Sequence, residues 1–541
     1  MTSRTFNEAD AVAWNEMTIP RTLERAATLW PDDSAIEENG LRMGFSGLAA
    51  EVERAARAFL AAGVERGDRV GVWAPNSARW IVAALGLQSA GGILVTLNTR
   101  FKANEASYVL EKSEARLLCT IGDFLDTNYA DAIAKQDLPA LQRIIMLDGE
   151  STNGQSWKSF LESGESVAPE IARARAASVS PDDLSDFLFT SGTTGNPKAV
   201  MTAHGQNLKV FDVWSENVGL VHGDRYLIVA PFFHSFGYKA GWLACLMRGA
   251  TALPHPVFDS AAVLQRIQDD QISVLPGPPA IYQSLLTFDR RDQYDTSSLR
   301  LAVTGAAPTP VELVHRMRDE LGFQSVIKAY GLTESCGTVT ACQQGDDPET
   351  IANSDGCAIP DTEVLCVGTD GKEVPRGEPG EVWVRGYNVM RGYYQDEVET
   401  AKAIDPEGWL HTGDIGVMDA DGYLKITDRI KDMFIMGGFN VYPAEVENAL
   451  FEHPGIAAAA VIGVPDERMG EVGMAFVVAA PDANLDAKEL AAWSRQHMAN
   501  FKVPRHFEIV PELPSNASGK VLKFELRERA DKILATSSGA A

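Results

Sequence analysis

Apolar residues recur at helical spacing at Leu48, Val52, Ala56, Phe59 and Leu60, and the stripe stops at Gly63. That pattern predicts a helix closed by a glycine. A strand-like run at 69–74 follows, then a helix from about Asn76 and a second apolar run at 92–97. Strand, helix, strand in this order predicts a parallel sheet with crossover helices. The stretch from Trp80 to Asn98 approaches the apolar character of a membrane span, but Gln88, Ser89 and Gly91-Gly92 interrupt it. It reads as a buried helix followed by a buried strand.

The Ala/Ser-rich segment 165–180 is weakly patterned and reads as a surface connection. Alternation then resumes: strands at 187–190 and 226–230, a helix near 237–247, a strand at 273–275 and helix Pro279–Leu286. A strand at 301–304, a helix at 311–321 and a strand at 326–328 complete a second α/β layer. From about Thr362 the style changes. The runs 363–367 and 381–385 and the turn 419–422 read as β-hairpins without intervening helices. From Lys431 a small α+β pattern appears, with helix Pro443–Phe451, strands at 457–462 and 473–478, and a helix at 487–500. The chain thus offers a large α/β body, a β-rich neck and a C-terminal domain of roughly a hundred residues, a usual domain size.

Composition narrows the function classes. The 541 residues suit about three or four domain-sized units. With 45% hydrophobic and 23% charged residues, the chain reads as globular rather than disordered. Its 48 Lys+Arg against 74 Asp+Glu leave a net charge of −26, which argues against a nucleic-acid binder. Six cysteines, with no CxxC pair and no Cys/His cluster, predict reduced structural thiols in a cytoplasmic protein. The first residues lack the basic start and apolar run of a signal peptide, and the final TSSGAA reads as a tail without a peroxisomal address.

Five loops carry the chemistry. Thr190-Ser191-Gly192-Thr193-Thr194-Gly195-Asn196-Pro197-Lys198 follows a predicted strand and packs glycines and hydroxyls into one concavity. Such a loop can hold phosphate oxygens, although no Gly-Lys-Ser/Thr closes it as in a Walker A loop. The second comprises Thr304-Gly305-Ala306-Ala307-Pro308 and Tyr330-Gly331-Leu332-Thr333-Glu334, each part beginning where a predicted strand ends, the usual place for ligands on open parallel sheets. Tyr330 could stack on a base, Thr333 could bond a phosphate, and Glu334 could hold Mg²⁺. In Gly408-Trp409-Leu410-His411-Thr412-Gly413-Asp414, a turn carboxylate could accept both hydroxyls of a ribose. The last two loops are Asp428-Arg429-Ile430-Lys431-Asp432 leading to Met436-Gly437-Gly438-Phe439-Asn440, and Pro514-Ser515-Asn516-Ala517-Ser518-Gly519-Lys520. Taken singly, each is equally an ordinary polar turn, a helix cap or a surface lysine.

In this order and spacing, from about Thr22 to Arg529, the five loops resemble the adenylate-forming superfamily of acyl-CoA synthetases, luciferases and peptide-synthetase adenylation domains. The resemblance implies an α/β fold: a large N-terminal domain of two α/β lobes and a β-barrel over 1–428, and a small mobile α+β domain over 429–541. It assigns the loop Thr190, Ser191, Gly192, Thr193, Thr194, Gly195 and Lys198 to the ATP β- and γ-phosphates. Gly305, Ala306, Ala307 and Pro308 with Tyr330 would sandwich adenine, and Gly331 and Thr333 would belong to the same nucleotide site. Glu334 would ligate Mg²⁺, Asp414 and Arg429 would hold the ribose, and Lys520 would be the catalytic lysine. Lys431 falls at the family's hinge, and Gly437-Gly438-Phe439 would meet the CoA pantetheine. One departure is Ala199, where the family usually has glycine, and a single methyl leaves a functional loop. The residues before Lys520, Asn516-Ala517-Ser518, also replace the commoner Thr-Pro-Thr.

In Pro231-Phe232-Phe233-His234-Ser235-Phe236-Gly237-Tyr238-Lys239 the resemblance puts His234 where the carboxylate enters, and Tyr238 where long-chain relatives place an aromatic gate. The wall continues through Gly277 and Pro278. Lys239 is odd in an apolar segment; it reads as a snorkelling surface lysine, with contact to an oxo or hydroxyl group deep in the pocket as the alternative. The phrases PFFHSFGYKAG, LPGPPAIYQSLL and GGFNVYPAEVE resemble CoA ligases of steroid-degrading actinobacteria, which activate the propionate side chain left on the cholesterol C and D rings. That implies a blunt pocket for an indanedione propionate. The alternatives are a medium- or long-chain fatty acyl-CoA synthetase with a narrow tunnel, a luciferase-like oxygenase, or an inert adenylate-binding protein.

Overall fold

The apolar stripe folds as helix Phe45–Ala61. Helix Ala78–Ser89 lies against it, opened by the Ser77 hydroxyl accepting the Trp80 N–H and buried at every residue but Arg79. The two helices cross closely, since a Cβ on Gly86 would lie 2.5 Å from that of Ala55. Strand Ile93–Thr96 follows, buried throughout. The segment is therefore core, and among the described residues no helix is long and apolar enough to cross a membrane.

This computed structural model describes residues 12–538 except 126, 191–196, 306, 308, 430–431, 437–438, 467–468, 482, 499 and 516–520. They form two compact units, Met1–Glu363 with Arg385–Leu410, and Val364–Val384 with His411–Ala541. The first unit holds two large sheets. One is ordered Lys198–Ala203, Leu184–Thr190, Ile93–Thr96, Arg69–Trp73, Leu117–Ile121, Arg143–Asp148, Gln155–Ser156. It is parallel except at the hairpin of its first two strands. The other has a parallel centre ordered Ser325–Tyr330, Leu301–Gly305, Val274–Pro276, Arg225–Ile228, Thr251–Pro254, Ser34–Glu38. Antiparallel strands flank that centre on both sides.

The second unit contains strands of a four-stranded sheet ending in Leu410–Met418 and Leu424–Arg429. Beyond them, a separate sheet is built on the long hairpin Ile456–Asp466 and Gly470–Ala479, with Phe434–Met436, Phe439–Val441 and His506–Ile509 added. Its core joins Phe434, Val461, Ile462 and Phe476 to Val446 and Leu450 of helix Pro443–Phe451.

Four elements depart from the sequence expectation. Segment 165–180 contains helix Pro169–Ala177, started by proline and sustained by Ala and Arg, strong helix formers, with only Ala172 buried. The β-rich neck is interrupted by helix Glu397–Ala403, capped by Asp396. Asp414 lies inside a strand rather than in a turn. The chain closes on helix Lys523–Ser538, which takes in part of the expected tail.

Candidate active site

Parallel strands end at Thr190, Pro276, Gly305 and Tyr330, and the groups that can bind a nucleotide collect at such carboxyl ends. Gly305 faces Ala329 on the next strand, and any Cβ here would run into the Ala329 carbonyl oxygen. After Tyr330, residues Thr333–Ser335 make a single 3₁₀ turn, stapled by the Leu332 N–H donating to Ser335 Oγ at 2.9 Å.

That turn aims Glu334 at the first sheet. Thr190 Oγ1 donates to Glu334 Oε1 at 3.3 Å, and the Tyr393 hydroxyl donates to the same oxygen at 2.9 Å. The Glu334 carbonyl accepts the Met390 N–H at 2.8 Å. Burial and the adjacent Glu334 push the Tyr393 phenol pKa up, so it stays a donor. Lys198 pairs with Glu399 and sits 5.1 Å from the Tyr393 ring centre. Hydrogen bonds from Lys198 and Lys402 hold the Glu399 carboxyl down to about 2. Of the expected phosphate and metal groups, Thr190, Lys198 and Glu334 therefore converge. Thr333 shares the Glu334 turn and Ala307 is half-buried beyond Gly305.

Among the described residues no group of three or more His, Cys, Asp or Glu could cage a metal ion. Mg²⁺ does not require one: it binds one or two carboxylates together with nucleotide phosphates. Glu334, anchored by two hydroxyls beside the Thr190 loop, fits that pattern.

In the second unit, Asp414 is 2% exposed and faces Arg429 across the ladder of Leu410–Met418 with Leu424–Arg429. The two expected ribose residues are thus cross-strand partners. The preceding carboxylate, Asp428, is buried and accepts the Ala444 N–H at 2.9 Å, in the first turn of helix Pro443–Phe451. Phe439 opens strand Phe439–Val441 opposite Met436. Ser191, Gly192, Thr193, Thr194, Gly195, Ala306, Lys431, Gly437, Gly438 and Lys520 lie outside the described residues.

At the acyl side, His234 caps a short turn, its Nδ1 accepting the Phe236 N–H at 3.3 Å. Its side chain is exposed to solvent. Desolvation, then the Lys239 charge, lower its pKa to about 4 and keep it neutral. The next residues form a π-helix, Tyr238–Leu243, all buried. Gly277 and Pro278 follow strand Val274–Pro276, the Gly277 N–H donating to Val303 O at 2.9 Å and Pro278 capping helix Pro279–Leu286.

Lys239 corrects the surface reading. It is fully buried, 3.1 Å from Asp186 Oδ1 and donating to Thr202 Oγ1 at 2.9 Å. An ammonium in an apolar segment is tolerated here because a buried carboxylate and a hydroxyl meet it. Tyr238 is also bonded inward: Gln88 Nε2 donates to its hydroxyl at 2.8 Å, and that hydroxyl lies 3.4 Å from Asp186 Oδ2. Sequence reasoning missed Asp186, Thr202 and Tyr393. Only the unexplained charge of Lys239 signalled that a buried anion had to exist.

An anchored carboxylate beside Thr190 and Lys198, at the carboxyl ends of parallel strands, is an arrangement suited to a nucleotide-binding enzyme. The chain belongs to the AMP-binding enzyme family, whose profile matches residues 23–394, with the AMP-binding enzyme C-terminal domain matching 445–520. It is similar to 3-[(3aS,4S,7aS)-7a-methyl-1,5-dioxo-octahydro-1H-inden-4-yl]propanoyl:CoA ligase of Rhodococcus jostii, 49% identical over 94% of this chain and 98% of that one. The Mycobacterium tuberculosis protein of the same name is 48% identical over 94% and 98%. Among solved structures, an anthranilate CoA ligase in complex with anthranoyl-AMP superposes with TM-score 0.86 at 28% identity, covering 98% of this chain and all of that one.

Proposed function

We propose that this acyl-CoA ligase activates a steroid-ring propionate, the indanedione acid that remains when the A and B rings are gone. The carrying observation is 49% identity, over nearly the whole of both chains, to the Rhodococcus ligase of that name. The sequence PFFHSFGYKAG around His234, which resembles that of steroid-ring propionate ligases, supports the same reading.

The chemistry has two steps. A carboxylate oxygen attacks the ATP α-phosphorus, the bond to pyrophosphate breaks, and an acyl-adenylate forms. The CoA thiol then attacks the acyl carbon, loses its proton and expels AMP. The first step brings two anions together, so the site must supply donors and positive charge. Thr190, Lys198 and the loop between them hold the β- and γ-phosphates. Glu334 would hold Mg²⁺, which neutralises phosphate charge when bound. Asp414 and Arg429 hold the ribose, His234 meets the carboxylate as a neutral imidazole, and Lys520 bridges carboxylate and α-phosphate. Gly437, Gly438 and Phe439 serve the pantetheine, and the working boundary between domains falls at 428/429. The six free cysteines, five of them buried, fit a reducing compartment, and we place the enzyme in the cytoplasm.

Comparison of kcat/KM for the indanedione propionate, octanoate and palmitate tests the substrate. One methylene is worth only about 1–3 kcal/mol in an apolar pocket, so the preference comes from shape and polar contacts. Equal or better efficiency on straight chains would leave a fatty acyl-CoA synthetase.

A further inference from the structure

We infer that the buried Asp186–Lys239 pair is a positioning device for acyl-adenylate formation, one node that sets Thr190, the His234 turn and the Glu334 turn relative to one another. The inference rests on the ligase reading above.

Asp186 and Lys239 lie on the segments that carry Thr190 and follow His234, and Asn207 links the pair to the Glu334 turn. Asp186 lies on strand Leu184–Thr190, four residues before the phosphate loop begins, and faces Thr202 on the strand that returns from it. Thr202 Oγ1 donates to Asp186 Oδ1 at 2.7 Å, so the flanks of the loop are bonded side chain to side chain. Lys239, five residues beyond His234, bonds both of them. Asn207 of helix His204–Val218 donates from Nδ2 to Asp186 Oδ2 at 2.7 Å, and its Oδ1 accepts the Cys336 thiol at 3.2 Å. Cys336 stands two residues past Glu334 and closes that turn at φ +58°. Asp186 Oδ2 takes a further hydrogen bond from Ser185 Oγ at 2.7 Å.

Fold stability gives no reason for such a pair. A buried ion pair loses about as much in desolvation as it gains, and apolar residues of the same volume are commonly as stable. A saturated polar node does specify one geometry, because each partner has a fixed direction. Geometry is what the first step needs, since misplacing reacting groups by about 1 Å can cost about 10²-fold. Thioester formation from a finished acyl-adenylate needs no β- or γ-phosphate, so a defect in this node separates the half-reactions.

The test is the double variant Asp186→Asn with Lys239→Met, which removes both charges and leaves neither orphaned. Single-turnover pyrophosphate release is measured with the best acid of the wild type, and thioester formation with synthetic acyl-adenylate and CoA. The expected result is a fall of about 10- to 100-fold in the adenylation rate with half-saturating ATP little changed. Thioester formation stays close to the wild-type rate and thermal unfolding changes little. Adenylation at the wild-type rate, or an equal fall in both half-reactions, overturns the inference. Should the double variant not fold, Thr202→Val and Thr202→Ser decide by the same two rates: the valine slows adenylation alone and the serine restores it, or the inference fails. Failure of the ligase reading registers in the wild type, and failure of this inference in the variants alone.

Discussion

Tyr393 donates its phenolic hydrogen to Glu334 Oε1, the oxygen that Thr190 also reaches, so a residue far along the chain holds the carboxylate proposed for Mg²⁺. The ring packs beside Val200 and Met390, and phenylalanine can keep that packing. A hydrogen bond to a charged group is worth about 1.5–3 kcal/mol. Tyr393→Phe should therefore raise the Mg²⁺ concentration for half-maximal adenylation by about tenfold, with thermal stability nearly intact. A magnesium titration of pyrophosphate release checks it, and an unchanged midpoint contradicts it.

Lys520→Ala should cut acyl-adenylate formation by about 10²–10³-fold, the usual loss for one preorganised donor. Thioester formation from preformed acyl-adenylate should survive. An equal fall in both half-reactions would make the lysine structural.

Lys431→Pro should separate the two steps as well. On the roles proposed above, Lys520 and Gly437–Phe439 would each serve one carbonyl in turn, and a few hinge dihedrals suffice for that. Proline fixes φ near −65°. First-turnover pyrophosphate release should continue while thioester formation collapses; thioester formation at the wild-type rate would put the hinge elsewhere.

His204 sets an acid limit. Its ring is buried, its Nδ1 accepts the Ile19 N–H, and burial lowers its pKa from 6.5 to about 4. Between those values the unfolded chain binds more protons than the folded one, so stability is complete above about 6.5 and is lost as pH falls toward 4. His204→Asn should flatten the fall of melting temperature between pH 7 and 5. An unchanged slope would show that other groups control it.

Much of this architecture can be read from the chain because its signals are local. Helices Pro279–Leu286 and Pro443–Phe451 start on proline and bury one face, and both ends follow from the residues themselves. Helix Pro169–Ala177 buries a single residue and so has no stripe to read. The candidate site divides the same way. Thr190, Lys198, Tyr330 and Glu334 belong to recognisable sequence motifs at strand ends and in a short turn. Asp186 stands in an apolar strand, and Tyr393 resembles any core aromatic. Their meaning comes from partners brought together by folding, which no local pattern encodes.

The Asp428 carboxylate holding the Ala444 amide closes a ring of chain that contains Lys431 in its span. On the proposed hinge, a swing at Lys431 would have to open this ring, exchanging a charged hydrogen bond inside protein for one to water. On that reading the Asp428–Ala444 bond would act as a catch rather than a spring, holding until it breaks. Turnover governed by such a catch would show two discrete dwell states in a single-molecule distance record, with Asp428→Asn shortening only the latched one.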